Sequence, residues 1–465
     1  MSARPLWTAG EAADAVRGEA LGAWSVTGIS IDTRTLEPGD LFVALRGDAR
    51  DGHDFALEAL RRGAAAVMVD HRPPGLDPDA PMLRVVDTQV ALERLGRAGR
   101  ARSEARVMAI TGSVGKTGSK ECAKFVLSRQ APTHASVASY NNHWGVPLSL
   151  ARLPHGASFA VFEIGMNHAG EITRLVDQVR PHVALITAIA PAHLAQFGTI
   201  EAIADAKAEI FKGVVKGGSA VLNADDGQFA RLRAHAVSEG IERIITFGYG
   251  DRAEARLLDM RLEPQGAWVE AELAKQRLSY RLDVPGRHWV SNSLGVLAAA
   301  NELGANVSAA AAAMQDFRPP AGRGQRHTLR LSGGTCTLID DAYNANPASM
   351  RAAIGVLGGM RGRRIAALGD MLELGEQSAR LHAELTDVLA AYDIAKVFTA
   401  GTYMRELHEA LPAHRRGAHA EDAASLLPKL RAQLRPGDVL LIKGSLGSRM
   451  VDLVSALLAD APADS

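Results

Sequence analysis

Apolar residues in this chain fall mostly into short unbroken runs, while the stretches between them space their apolar positions three and four apart. LFVAL from Leu41 and AAVMV from Ala65 are such runs, LRVVD from Leu83 reads as a further strand, and a helical pattern from His53 is closed by Gly63. An unbroken apolar run of this length fits a strand buried on both faces, and a glycine just past a helical pattern fits a helix end. Residues 1–87 are therefore expected to form a small α/β domain. A helical, Arg-rich connection from Thr88 to about Ala105 leads into the next strand, VMAIT from Val107.

Beyond it the alternation continues, with FAVFEI from Phe159, VALITAI from Val183, AVLNADD from Ala220 and RIITFG from Arg243. Strands separated by helices predict a parallel sheet covered on both faces. Between Ala255 and Val284 apolar and polar residues alternate singly, so a short antiparallel addition is expected there. Arg318, Pro319, Pro320 and the following AGRG read as a linker or hinge, which bounds a central domain at 88–319. CTLID from Cys336, RIAALGD from Arg364, KVFTAG from Lys396 and DVLLIKG from Asp438 predict a second doubly wound, Rossmann-like fold over 320–465. The expected fold class is α/β, in three domains.

Length agrees with that division, since 465 residues are too many for one ordinary core. Lys plus Arg and Asp plus Glu both number 52, which leaves no net positive field for a nucleic-acid backbone and no polybasic segment for anionic lipid. No run approaches the roughly 20 apolar residues of a membrane span, and MSARPLWTAGEAADAV lacks the apolar core of a signal peptide. A cytoplasmic protein without nucleic-acid or membrane partners is expected, and no obligate protein partner is evident. Cys122 and Cys336 stand far apart, without disulfide or zinc-site spacing, and read as buried thiols.

The segment Thr111, Gly112, Ser113, Val114, Gly115, Lys116, Thr117, with Gly118 after it, follows a strand and precedes a helical pattern. That is the setting of a phosphate cradle. Backbone N–H groups and a helix N-terminus face a polyphosphate, the lysine adds charge and the threonine hydroxyl can ligate magnesium. Ile110 stands where the eight-residue motif has its first glycine. Glu163 ends a strand just before Gly165, at the edge where parallel sheets bind ligands, although a carboxylate there can equally be a solvated surface group. His193 follows a strand in a loop with Pro191 and has an ordinary structural reading too. Lys207 could lie near Asp205 or Glu209, and as an ammonium it cannot bind a cation.

The chain resembles the Mur ligases, and within them the branch that adds D-alanyl-D-alanine. The likeness runs over nearly the whole length: SIDTRTLEPGDLFVALRG and DGHDF; TGSVGKT, YNNHWGVPLSL, EIGMNHAGEI, AHLAQFG, DAKAEIF and GRHWVSNSLGVLAAA; then DDAYNANPASM, ALGDMLELG and KGSLGSRM. The order and spacing of these strings carry the likeness.

The resemblance implies an ATP-dependent amide ligase of peptidoglycan synthesis, with UDP-N-acetylmuramoyl-tripeptide and D-alanyl-D-alanine as substrates and two magnesium ions. It implies a first magnesium on Thr117 and Glu163, and a second held by His193 and a carbamylated Lys207. It further implies that Asn142 lies near the phosphates, Asn292 contacts adenine, Arg323 a phosphate and Asp341 the ribose. Tyr343, Asn344 and Asn346 would lie near the reacting carboxylate or the dipeptide, and Asp32, Thr33 and Arg34 would hold the UDP end. Without the resemblance, DTR is as well read as a capped turn with a surface arginine. The ligase that adds the preceding amino acid and folylpolyglutamate synthase-like relatives share the phosphate loop, as would a P-loop phosphotransferase or NTPase.

Overall fold

The computed structural model describes residues 4–192 and 194–459. It forms two compact units, one from 1–111, 130–184 and 209–219, the other from 112–129, 185–208 and 220–465. Among the described residues no helix is long and apolar enough to cross a membrane.

In the first unit a five-stranded sheet runs in the order Glu19–Leu21, Met82–Arg84, Ala66–Val69, Asp40–Val43, Gly28–Ser30. Its neighbours are parallel except for the outer Glu19–Leu21 pairing. The unbroken apolar runs are explained by the two faces. Leu41, Val43, Met68 and Leu83 pack into one core with Trp7, Val16 and Leu92, whereas Phe42, Val67, Val69 and Met82 pack into another under Ala56 and Ala59. The expected connection is the helix Thr88–Ala101, started by Asp87, whose side chain accepts the Val90 N–H. The same unit holds a parallel trio in which Phe159–Glu163 lies between Thr133–Ala135 and Arg106–Thr111.

In the second unit Arg243–Gly248 pairs in parallel with the start of Ala255–Glu263, and Gly266–Leu273 and Gln276–Leu282 add antiparallel strands, as the single alternation predicts. A six-stranded sheet follows, in the order Gln325–Leu331, Gly334–Asp341, Asp438–Lys443, Arg363–Gly369, Lys396–Ala400, Arg416–Ala420. All neighbours are parallel save the first pair. Its faces divide as in the smaller sheet, with Ile339, Leu368 and Leu441 in one core and Leu338, Phe398 and Ile442 in the other. Both cysteines are buried, and burial pushes each thiol up to about 12.

Candidate functional site

The phosphate loop takes its shape from two glycines in the left-handed region, Gly112 at φ 149° and Gly115 at φ 84°. Neither could carry a side chain. A Cβ on Gly112 would overlap Thr187 Oγ1, and one on Gly115 would lie 2.7 Å from Asn292 Nδ2. Thr187 Oγ1 donates to Val114 O at 2.6 Å, and the Ser113 N–H donates to Ala188 O at 2.7 Å. The loop is thus braced by the segment that follows Val183–Ile186, and Gly115 opens the helix Lys116–Ser128. Lys116 Nζ donates to Gly112 O at 2.7 Å, within the arc where a polyphosphate would sit. Thr117 and Gly118 follow Lys116 in the first turn of that helix and are buried.

Glu163 is buried at the end of its strand, opposite Ile110 in the register. The next strand over ends in Thr111, whose hydroxyl donates to Ile164 O at 2.8 Å. Asn141 Nδ2 donates to Glu163 Oε1 at 2.7 Å. Asn142 Oδ1 accepts the N–H groups of Trp144 and Gly145 at 3.2 and 2.9 Å, so this oxygen orders the start of Gly145–Ala151. Asn141 is therefore the partner of the strand-end carboxylate that sequence reasoning did not single out. The NN pair was the available signal, but nothing in it told the two asparagines apart.

Lys207 lies on Ile200–Ala208 and is 1% exposed. Burial, and secondarily the Lys116 ammonium, pushes its amine well below the usual lysine value. Both carboxylates that the sequence offered as neighbours are committed elsewhere. Asp205 pairs with Arg231 and His235, and Glu209 accepts the N–H groups of Gly170 and Thr173 at 2.6 and 3.0 Å. His193 lies outside the described residues.

His288, Arg323 and Asp341 line one cleft with Val284, Pro285 and Ile339. His288 stands exposed at the edge of this cleft, and the protein packed around its ring pushes the imidazole below the ordinary histidine value. Asn292, one turn further along the same helix, faces Gly115 of the phosphate loop. The Arg323 guanidinium stacks over the Tyr343 ring, 4.3 Å from its centroid. Lys443 Nζ binds Asp341 Oδ2 at 2.7 Å. In the loop between, Asn344 is exposed and its Oδ1 accepts the Ala345 N–H at 2.8 Å. Asn346 Oδ1 accepts the Ser349 N–H at 2.9 Å and caps the helix Pro347–Gly358.

In the first unit Asp32 accepts from the Arg34 backbone at 2.9 Å and from its guanidinium at 2.6 Å, which lowers the carboxyl below its ordinary value. Thr33 is buried, and its carbonyl accepts from Arg62 at 3.2 Å. DTR is thus a self-closed turn with an exposed guanidinium edge. His53, Asp70 and His71 bring ligand-type atoms within 4.8 Å of one another. Arg46 already donates to Asp51 and Asp70, at 3.1 and 3.0 Å, and the Asp70 N–H uses His53 Nε2, so charge and lone pairs there are satisfied without a cation.

Three family descriptions match the chain in order: the Mur ligase family catalytic domain over 25–100, the Mur ligase middle domain over 110–300 and the Mur ligase glutamate ligase domain over 322–446. UDP-N-acetylmuramoyl-tripeptide--D-alanyl-D-alanine ligase of Escherichia coli is 35% identical over 97% of this chain and 98% of its own. The Bacillus subtilis protein of the same name is 32% identical over 92% and 93%. The crystal structure of MurF from Acinetobacter baumannii superposes with a TM-score of 0.85 at 31% identity, covering 98% of this chain and 99% of that one. MurF of Thermotoga maritima, solved in complex with ADP, gives 0.76 at 26% identity over 93% and 97%. A folylpolyglutamate synthase of Mycobacterium tuberculosis, at 18% identity and a TM-score of 0.63, shares the fold alone. With a glycine-braced phosphate loop, a buried strand-end carboxylate and full-length relatives above 30% identity, this chain belongs to the Mur ligase family.

Proposed function

We propose that this protein uses ATP to join D-alanyl-D-alanine to UDP-N-acetylmuramoyl-tripeptide, giving the pentapeptide precursor of peptidoglycan. The observation that carries the reading is the 35% identity, over 97% of the chain, to a ligase whose name states that reaction. ATP and a UDP-linked substrate are cytoplasmic metabolites, and the enzyme is assigned to that compartment. Domain borders near 88 and 320 are assigned with it.

A carboxylate oxygen is a poor leaving group, so the tripeptide's terminal carboxylate must be activated before an amine can displace it. It attacks the γ-phosphorus of ATP, forming an acyl phosphate and releasing ADP; the dipeptide amine then attacks the acyl carbon, phosphate departs and an amide is left. The phosphate loop from Thr111 to Gly118 holds the nucleotide's phosphates, and the Lys116 ammonium offsets charge on the group in transfer. Asn142, Asn292, Arg323 and Asp341 are assigned to the nucleotide. Asp32, Thr33 and Arg34 are assigned to the UDP end, and Tyr343, Asn344 and Asn346 to the reacting end or the dipeptide.

Magnesium, when bound, neutralises phosphate oxygens. Thr117 and Glu163 would supply the hard oxygen donors such an ion takes. His193 and Lys207 are assigned to a second ion. An ammonium at Lys207 could not serve, but the chemistry of the site fits the modified form. A buried amine beside a second cation favours the neutral state, which is the form that attacks carbon dioxide, and the resulting carbamate anion would face Lys116 instead of repelling it.

ADP release measured with each substrate omitted in turn tests the reaction. Full turnover requires all three substrates; turnover indifferent to the dipeptide would instead mark a phosphotransferase or NTPase. Oxygen-18 placed in the tripeptide carboxyl is expected in the phosphate released, and its absence there would remove the acyl-phosphate route.

A further inference from the structure

The end of Asp438–Lys443 carries an ammonium that no step above uses. Lys443 is 2% exposed and stands directly opposite Asp341 in the parallel register. Its donors all go to the loop beginning at Asp341: Oδ2 of that residue at 2.7 Å, its carbonyl at 3.5 Å, and the carbonyl of Asn344 at 2.9 Å. The next contact is made by Ser445. Its hydroxyl donates to Ala345 O at 3.2 Å and accepts the Leu372 N–H at 3.0 Å.

A buried lysine is costly unless its charge is paired and its donors are used, and here both conditions are met by one loop. The Asp341 side chain is 22% exposed, and it lines the same cleft as His288 and Arg323. One of its carboxylate oxygens is thus pinned from the buried side, so the orientation of the other toward the cleft follows from where Lys443 stands. Two charge-assisted bonds at a strand edge are a rigid mount, of the kind a hydroxyl-reading carboxylate needs.

We propose that Lys443 is a positioning residue for nucleotide recognition: it fixes the Asp341 carboxylate in the rotamer that accepts a ribose hydroxyl. Ser445 holds the following turn without touching Asp341. The inference rests on the assignment of Asp341 to the ribose, and the test separates the two.

KM is measured for ATP, 2′-deoxy-ATP and 3′-deoxy-ATP in the full ligation reaction, for wild type, Asp341→Asn, Lys443→Met, Lys443→Gln and Ser445→Ala, with a thermal melt of each. Wild type is expected to favour ATP over at least one analogue by roughly tenfold, the worth of one hydrogen bond to a charged group. Lys443→Met and Lys443→Gln are expected to bring that ratio close to one by raising KM for ATP while leaving KM for the analogue nearly unchanged. Gln is informative because it restores a donor for the Asn344 carbonyl without the charge. Ser445→Ala is expected to lower the melting temperature and keep the ratio, as a merely structural loss would. If Asp341→Asn leaves the wild-type ratio intact, the ribose assignment itself fails. If Asp341→Asn abolishes it while both Lys443 variants retain it, Lys443 does not position Asp341. Unfolding of both Lys443 variants would make it a folding residue and likewise overturn the proposal.

Discussion

A side chain at position 118 would meet an aromatic ring, since a Cβ built on Gly118 lies 2.7 Å from Trp289 Cη2. Trp289 is itself packed at 5.6 Å from the Phe317 ring and is 7% exposed, so it has little room to retreat. Gly118→Ser should therefore overpack the start of the phosphate-loop helix and cost about 1–3 kcal/mol. A lower melting temperature and a raised KM for ATP are expected, and adding Trp289→Leu should restore part of both. Equal losses in the single and double variants would show that the ring is not the obstacle. Lys207 permits a chemical test of a different kind. Lys207→Ala should reduce kcat by about a hundredfold or more, the scale of losing one preorganised charged group in an active site. Short carboxylates are expected to return part of the activity. Wild-type protein in ¹³C-labelled bicarbonate should show a carbamate resonance that the variant lacks; the same signal in both would clear Lys207 of modification.

At the scale of elements, His182 ties the start of one strand to its surroundings: its Nδ1 accepts the Val107 N–H at 2.9 Å. Burial first, then Arg106 and Arg100, holds this imidazole down at about 4. The unfolded chain, with an ordinary histidine near 6.5, binds more protons between those values. Stability from His182 is thus complete above about pH 6.5 and lost as pH falls toward 4, where protonation also removes the acceptor for Val107. Between pH 7 and pH 5 wild type should lose a few degrees more in melting temperature than His182→Gln; equal slopes would mean another group governs the acid limb. Elements were legible where apolar runs were unbroken, because a strand buried on both faces needs such a run: LFVAL, FAVFEI and DVLLIKG all became strands. The strand Arg416–Ala420 leaves no such pattern, because RGAHA, at the sheet edge, has only one buried position. The helix Ala9–Val16 is too short for its apolar pattern to mark it, and only the spacing of Thr8 and Glu11, which form its capping box, carries a signal. The phosphate loop was legible from glycine and lysine spacing. The pairing of Asn141 with Glu163 was not, since it depends on which of two adjacent asparagines turns toward a strand 22 residues away.

For the whole molecule the chemistry itself sets a demand, because water destroys an acyl phosphate and the reacting groups must be enclosed while it exists. The notion of a hinge near residue 320 can be narrowed from the local contacts. Phe317 is 2% exposed and packs on the rings of Trp289 and Phe125, so the chain is anchored up to that point. The Gly322 N–H donates to Asp340 Oδ2 at 3.0 Å and the Gly324 N–H to Asp340 O at 2.8 Å, so it is anchored again from there to the six-stranded sheet. Arg318 is held too, by Gln315 O at 3.0 Å and Asp283 at 3.2 Å, which leaves Pro319, Pro320 and Ala321, where proline rings limit φ and turn a slack tether into a stiff one. A stiff, short tether suits a motion with few competing arrangements. Small-angle scattering should show the radius of gyration falling when a non-hydrolysable ATP analogue and the UDP-tripeptide are both present, and staying constant with either alone. Replacing Pro319 and Pro320 with glycine should leave the melting temperature within about a degree or two of wild type, because neither proline is fully buried, yet lower kcat severalfold by multiplying unproductive arrangements. Compaction with the nucleotide alone, or a glycine variant with unchanged kcat, would place the enclosing motion somewhere other than this segment.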